Sequence, residues 1–135
     1  MRAFRDARFR PLVLQAYRNR CAVCGTALKL VDAAHIVPVS DPRGDDVVNN
    51  GLALCRLHHG AYDTGLLGVQ SNYQIVLNTA VADRLRQVQL DGGLNVFRAA
   101  LPQRIRLPNV SEVRPDPRKL RIGLEVRQFP AILVA

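Results

Sequence analysis

Tryptophan is absent from this chain, methionine occurs once, and aromatic residues make up only 5%. A core must therefore be assembled from Leu, Val, Ile and Ala, for which a hydrophobic share of 48% leaves enough material. Long apolar runs are missing. Leu12-Val13-Leu14 and residues 131–135 are the longest kind present, and a membrane span needs ~20 such residues. The N-terminus also lacks the apolar stretch and small-residue cleavage site of a secretory signal. These absences predict a cytoplasmic protein with no membrane partner. The length of 135 residues predicts one domain spanning 1–135, and 22% charged residues is not the composition of a disordered chain.

Acidic residues are in short supply, 11 against 19 basic ones, for a net charge of +8. Lysine is nearly missing too. Only Lys29 and Lys119 occur, so 19 − 2 = 17 of the basic residues are arginines. Genomic base composition explains arginine over lysine, but it does not explain the surplus. A surplus of this size on so small a chain points to a polyanionic partner, nucleic acid above all.

Cysteine is scarce and odd in number: Cys21, Cys24 and Cys55. Three cysteines make a poor disulfide framework. Cys21-Ala22-Val23-Cys24-Gly25 has the spacing of a zinc knuckle. A redox pair of the same spacing would need a thioredoxin-like strand and helix around it, which the flanking pattern does not supply.

Along the chain, residues 1–20 hold Arg2, Arg5, Arg8, Arg10, Arg18 and Arg20 around an apolar stripe of Leu12, Val13, Leu14, Ala16 and Tyr17. Pro11 is tolerated only in the first turn of a helix, so the helix is predicted to begin near Phe9. Residues 27–37 read as a strand stopped by Pro38, 40–46 as a loop, 51–55 as a short strand, and 56–64 as a short helix closed by Gly65. Residues 66–69 and 73–77 read as a hairpin. Beyond it, 81–88 reads as a helix, 91–93 as a turn and 104–107 as a strand. Asp116-Pro117 is an N-cap and first-position pair for a last helix to about Arg127.

Two constellations interleave in the middle of this pattern. Cys21 and Cys24 precede the first strand, while Cys55 and His58 follow the second. Two close pairs on two turns are the usual plan of a four-ligand structural zinc site. Such a site is worth on the order of 10 kcal/mol to a small domain. The competing reading is three inert buried cysteines. The second constellation is His35 at a strand end, Asn50 at a loop end, and His59 with Asp63 four residues later. Positions i and i+4 share a helix face, so His59 and Asp63 can hold one metal ion together. Adjacent His58 and His59 point roughly 100° apart on a helix. His58 is therefore expected to face the zinc and His59 the second site.

The stretches Arg20-Cys21-Ala22-Val23-Cys24-Gly25, Ala33-Ala34-His35-Ile36-Val37-Pro38 and Asn50-Gly51-Leu52-Ala53-Leu54-Cys55, followed by His59, Asp63 and Gly65, resemble the HNH endonuclease family. The branch most similar is the C-terminal nuclease module of modification-dependent and other restriction enzymes. The core of the resemblance covers about residues 9–77, with a weaker likeness in the extension 78–135. It implies an α+β fold, a ββα-metal finger with a structural zinc, flanked by an N-terminal helix and a C-terminal hairpin and helix extension. It implies metal-dependent hydrolysis of double-stranded DNA in restriction or defence, with magnesium or another divalent cation as cofactor. His35 would be the general base, Asn50 would pin the loop and orient it, and His59 would bind the catalytic ion. Ala34 departs from many relatives, in which Asp or His at that position binds the metal, and Asp63 is the natural substitute.

Arg20, Arg43 and Arg56 stand near these motifs and are expected to meet DNA phosphates, Arg43 foremost because it lies between His35 and Asn50. One site cuts one strand, so a second copy of the chain or a separate recognition domain is an expected partner. The alternative to a nuclease is a zinc-stabilised nucleic-acid-binding module that does not cut. A third reading, a zinc domain docking onto another protein, fits poorly with the charge.

Overall fold

Pro11 lacks a backbone N–H, so it can stand only where a helix has no use for one, and the first helix starts just before it. A computed structural model describes residues 6–134, so Arg2 and Arg5 lie outside the described residues. Helix α1 (Phe9–Ala16) buries Phe9 and Val13 and leaves Arg10 on its outer face. Strands β1 (Val31–His35) and β2 (Gly51–Cys55) pair antiparallel, with Val31 opposite Cys55 and His35 opposite Gly51. Every residue of β2 is buried, as expected of a strand covered on both faces. Helix α2 (Arg56–Asp63) follows directly, completing a ββα unit.

The first strand is shorter than its apolar pattern predicts. Leu28 and Lys29 both have left-handed backbone (φ 55° and 56°), and Leu30 N donates to Ala27 O at 2.9 Å. That turn delays the strand until Val31. After α2, β3 (Leu67–Val69) and β4 (Ile75–Leu77) form the expected hairpin. The predicted 104–107 strand is reduced to a single bridge between Gln74 and Arg104.

Helix α3 (Thr79–Gln87) falls where periodicity places it, but α4 (Leu94–Ala99) and the final turn α6 (Ala131–Val134) are additions. Both are short and follow turns, so they carry too few residues to show a period. Helix α5 (Pro117–Val126) begins as its sequence predicts, with the Asp116 side chain accepting from Arg118 N at 2.9 Å. The core runs through Val13, Ile36, Val37, Leu52, Leu54, Tyr62, Leu67 and Leu120, all within 1% of full burial. Each such aliphatic side chain contributes about 1.5–3 kcal/mol. Leu120 comes from α5, so the C-terminal helix shares the core of the ββα unit. It approaches closely: a Cβ added at Gly123 would lie 2.9 Å from Ile36 O. Among the described residues, no helix is long and apolar enough to cross a membrane.

Candidate active site and metal centre

The turn before β1 is built to present two thiols. Cys21 N donates to Thr26 O and Gly25 N to Cys21 O, both at 2.9 Å, and Val23 N points at Cys21 Sγ at 3.4 Å. The junction of β2 and α2 presents the other pair, with Cys55 ending the strand and His58 in the first turn of the helix. The four ligand atoms lie within 4.8 Å of one another. Cys24 Sγ to Cys55 Sγ is 3.8 Å, Cys21 Sγ to His58 Nδ1 is 3.7 Å, and Cys55 Sγ to His58 Nδ1 is 3.2 Å. Zinc–sulfur bonds of ~2.3 Å and zinc–nitrogen bonds of ~2.0 Å place tetrahedral ligands roughly 3.3–3.8 Å apart. The cluster therefore fits a zinc ion by both donor type and spacing. The thiols are unlike one another. Burial pushes Cys55 up to about 11. Burial would raise Cys21 as well, but backbone N–H groups of Cys24, Cys55 and Val23 outweigh it and hold it below the ordinary thiol value. Phe97 of α4 packs against the His58 ring at 5.6 Å, closing the site from the extension.

His35, His59 and Asp63 come together on the far side of α2, lining an open cleft of about 780 Å³ with Pro38, Ser40 and Arg127. His35 is fixed from two sides. Its ring stacks on Phe9 at 4.1 Å and 5°, so α1 forms its backing. Its Nε2 meets Asp46 Oδ1 at 2.7 Å. A carboxylate accepts only, which makes Nε2 the protonated nitrogen and leaves the lone pair on Nδ1. Among the described residues, Nδ1 has no hydrogen-bond partner. Asp46 is itself held by Asp6 N at 2.7 Å.

Asn50 is fully buried, and among the described residues its side chain makes no hydrogen bond to the His35 ring. It works on the backbone. Its Oδ1 accepts from Val37 N at 2.9 Å, and its Nδ2 donates to Val37 O at 3.0 Å and Asp45 O at 2.8 Å. Both ends of the 38–49 loop are thereby tied down, one beside His35 and the other beside Asp46.

His59 lies between two carboxylates. Asp63 Oδ2 is 3.1 Å from Nε2, and Asp32 Oδ2 is 3.1 Å from Nδ1. The Asp63 contact, partly opposed by burial and reinforced by Asp32, raises His59 to about 9. The same pairing lowers Asp63 below the usual carboxylate value. Asp63 borders the cleft and Asp32 does not. This is the layout of a metal-ligating histidine whose second ring nitrogen is oriented by a carboxylate. Nε2 and Asp63 could hold a cation at the cleft, and Asp32 would keep the other nitrogen protonated. Ala34 is buried on β1 and offers no ligand.

Three site residues escape the sequence patterns: Asp32, Asp46 and Arg127. Asp45-Asp46, a pair of acids between His35 and Asn50 in so basic a chain, is the one available signal. Arg127 donates to Ile36 O and, at 3.0 Å, to His35 O. It also lies 3.7 Å from Asp63 Oδ1 and 4.0 Å above the Tyr62 ring. The arginines expected to meet phosphate occupy different segments. Arg20 is exposed on the cysteine turn, and Arg56 is exposed at the start of α2. Arg43 is bound to Asp41 by two contacts of 3.0 Å and lies 3.6 Å from Glu125.

Residues 21–70 match the family described as HNH endonuclease. The matched segment holds the ββα unit together with His35, Asn50 and His59. Among solved structures, the chain is similar to one titled Modification dependent TagI restriction endonuclease, with a TM-score of 0.67 and 22% identity. The match covers 95% of this chain and 39% of that one, and it is a likeness of fold. No curated protein matches.

Proposed function

We propose that the chain is a metal-dependent endonuclease that hydrolyses DNA phosphodiester bonds. The observation that carries this reading is a histidine of fixed tautomer, His35, whose Nδ1 is unpartnered among the described residues, in one cleft with the His59–Asp63 pair. In this reading His35 Nδ1 takes the proton of the attacking water, and Asp46 steadies the imidazolium that results. The water oxygen bonds to phosphorus as the bond to the 3′ oxygen breaks. Asn50 holds the loop so that His35 and Asp46 keep their places. His59 and Asp63 would hold the divalent cation. That ion supplies charge stabilisation at the scissile phosphate and the leaving 3′ oxygen. Held by His59 and Asp63, such an ion would keep positions free for water and phosphate.

The net charge of +8 favours a nucleic-acid substrate, and the restriction enzyme among the similar structures makes defence against foreign DNA the favoured setting. Zinc at Cys21, Cys24, Cys55 and His58 is the structural cofactor, and magnesium or manganese the catalytic one. The test is conversion of supercoiled plasmid to nicked circles with added magnesium or manganese. Activity that disappears in His35→Ala supports the reading. Plasmid left intact by protein carrying zinc and still binding DNA would leave a binding module instead.

A further inference from the structure

Three arginines stand together away from the cleft. Arg18, Arg20 and Arg106 line a concave pocket of about 280 Å³ with Tyr17, Pro108 and Asn109, and no acid lines it. Two of the guanidinium groups converge on one glycine. Arg20 Nη1 donates to Gly25 O at 3.2 Å, and Arg106 Cζ lies 2.8 Å from where a Cβ on Gly25 would sit. Any side chain at Gly25 would displace Arg106, and the φ of +77° there already favours glycine. The third arginine, Arg18, is presented by a left-handed turn of Arg18 and Asn19 (φ 55° and 58°), a conformation costing L-residues about 1–2 kcal/mol each.

Some arginines on this surface are neutralised, Arg8 by Asp6, Arg43 by Asp41 and Glu125, and Arg86 by Asp83, while others, such as Arg10, Arg56 and Arg84, are unpaired among the described residues but do not line this pocket. Among the described residues, Arg18, Arg20 and Arg106 have no carboxylate within 4.0 Å. Converging like charges repel, and a doubly coordinated oxyanion is the ligand that relieves the repulsion.

We propose that Arg20 and Arg106, assisted by Arg18, form a binding site for one phosphodiester group of the nucleic-acid backbone. The proposal rests on the nuclease reading for the identity of its ligand. Helix α1 links the pocket to His35. Its Phe9 end stacks on His35 and its other end runs into Tyr17 of the pocket. Eight residues at ~1.5 Å each separate the two ends by about 12 Å. Along a duplex lying parallel to α1, at ~3.4 Å of axis per phosphate, that separation corresponds to about three to four phosphates. Arg20 and Arg106 both reach Gly25, so the strand's path would adjoin the cysteine turn.

The test is the salt dependence of binding to a 20-base-pair duplex without added divalent metal, so that no cleavage is needed. Arg20→Gln and Arg106→Gln are compared with Arg86→Gln, whose arginine is already paired and which serves as a control for net charge. All three side chains are on the surface, and the variants should fold. The expected result is a log–log salt slope flattened by about one unit in Arg106→Gln, and by no more in the double variant, because one phosphate is released. Unchanged slopes, an equal effect of Arg86→Gln, or two units lost in the double variant would each overturn the single-phosphate site. A second arm adds inorganic phosphate at constant ionic strength. Displacement of duplex no better than by chloride supports a backbone site. Displacement by micromolar phosphate that Arg106→Gln abolishes assigns the pocket to a free anion and overturns the proposal. A wild-type protein that shows the expected slopes but never nicks plasmid removes the nuclease reading and leaves this one standing.

Discussion

Arg127 donates its Nη2 to the backbone oxygen of His35, 92 positions earlier in the chain, at 3.0 Å. Its Nη1 reaches Ile36 O and Gly123 O, and its side chain is only 6% exposed. At the other end of α5, Lys119 Nζ lies 3.0 Å from Asp45 Oδ2, and Asp116 N donates to Asn49 O at 3.0 Å. One C-terminal helix thus clamps both the end of β1 that carries His35 and the loop that carries Asp46.

Arg127→Lys is expected to keep the fold but to cut poorly. A lysine ammonium cannot span two adjacent carbonyls while stacking on Tyr62. Each lost charge-assisted hydrogen bond is worth about 1.5–3 kcal/mol. Turnover should fall at least ~10-fold, with circular dichroism unchanged. Arg127→Ala should fall further and recover in part with added guanidinium. Full activity in Arg127→Lys would show that the clamp is unnecessary.

Asp46→Asn tests the tautomer. An amide can donate to Nε2, which moves the ring proton to Nδ1 and removes the base. Cleavage should drop by roughly 10²–10⁴-fold with DNA binding intact. Nitrogen-15 NMR of the His35 ring would report the change of protonated nitrogen directly. Retention of the Nε2 proton together with the activity loss would point to a charge effect instead.

The adjacent histidines should separate cleanly. His59→Ala is expected to stay folded and zinc-loaded, to bind DNA, and to lose cleavage. His58→Ala should lose zinc and stability first, since its Nδ1 completes the thiol cluster. Zinc content, melting temperature and nicking rate, measured on both variants, would reveal exchanged roles as release of zinc from His59→Ala.

Asp32→Asn addresses the orientation of His59 without touching the cleft. An amide oxygen is a weaker acceptor for Nδ1–H than a carboxylate. Manganese affinity, measured calorimetrically on catalytically idle His35→Ala protein, should fall about 10–100-fold. Unaltered affinity would make Asp32 a surface partner of His59 only.

Metal removal provides the last check. Purified protein should carry about one zinc per chain. Cys24→Ser, which breaks the cluster at its most exposed thiol, should lower solubility or unfold the chain, because binding and folding are coupled. Well-folded wild-type protein free of zinc would exclude the structural site.

Much of this protein is set by contacts close in sequence, and those are legible without a structure. Cys21 with Cys24, Cys55 with His58, and His59 with Asp63 each act within one turn, where spacing alone fixes which side chains share a face. The helix starts at Phe9, two residues before Pro11, and at Pro117 after Asp116 follow from the same local rules. The resemblance that names His35, Asn50 and His59 rests on such short stretches too. What surrounds them was decided in three dimensions. Strand pairing sets β1 against β2 and folding brings Asp32 to His59, 27 positions apart, while a loop return brings Asp46 to His35. Packing of α5 against Ile36 delivers Arg127. Arg20 and Arg106 meet at Gly25 because Arg106 N bonds to Ala22 O, joining the extension to the cysteine turn. No periodicity encodes such meetings. They depend on which buried faces fit together, and the hydrogen-bond partners are fixed only after the core has closed.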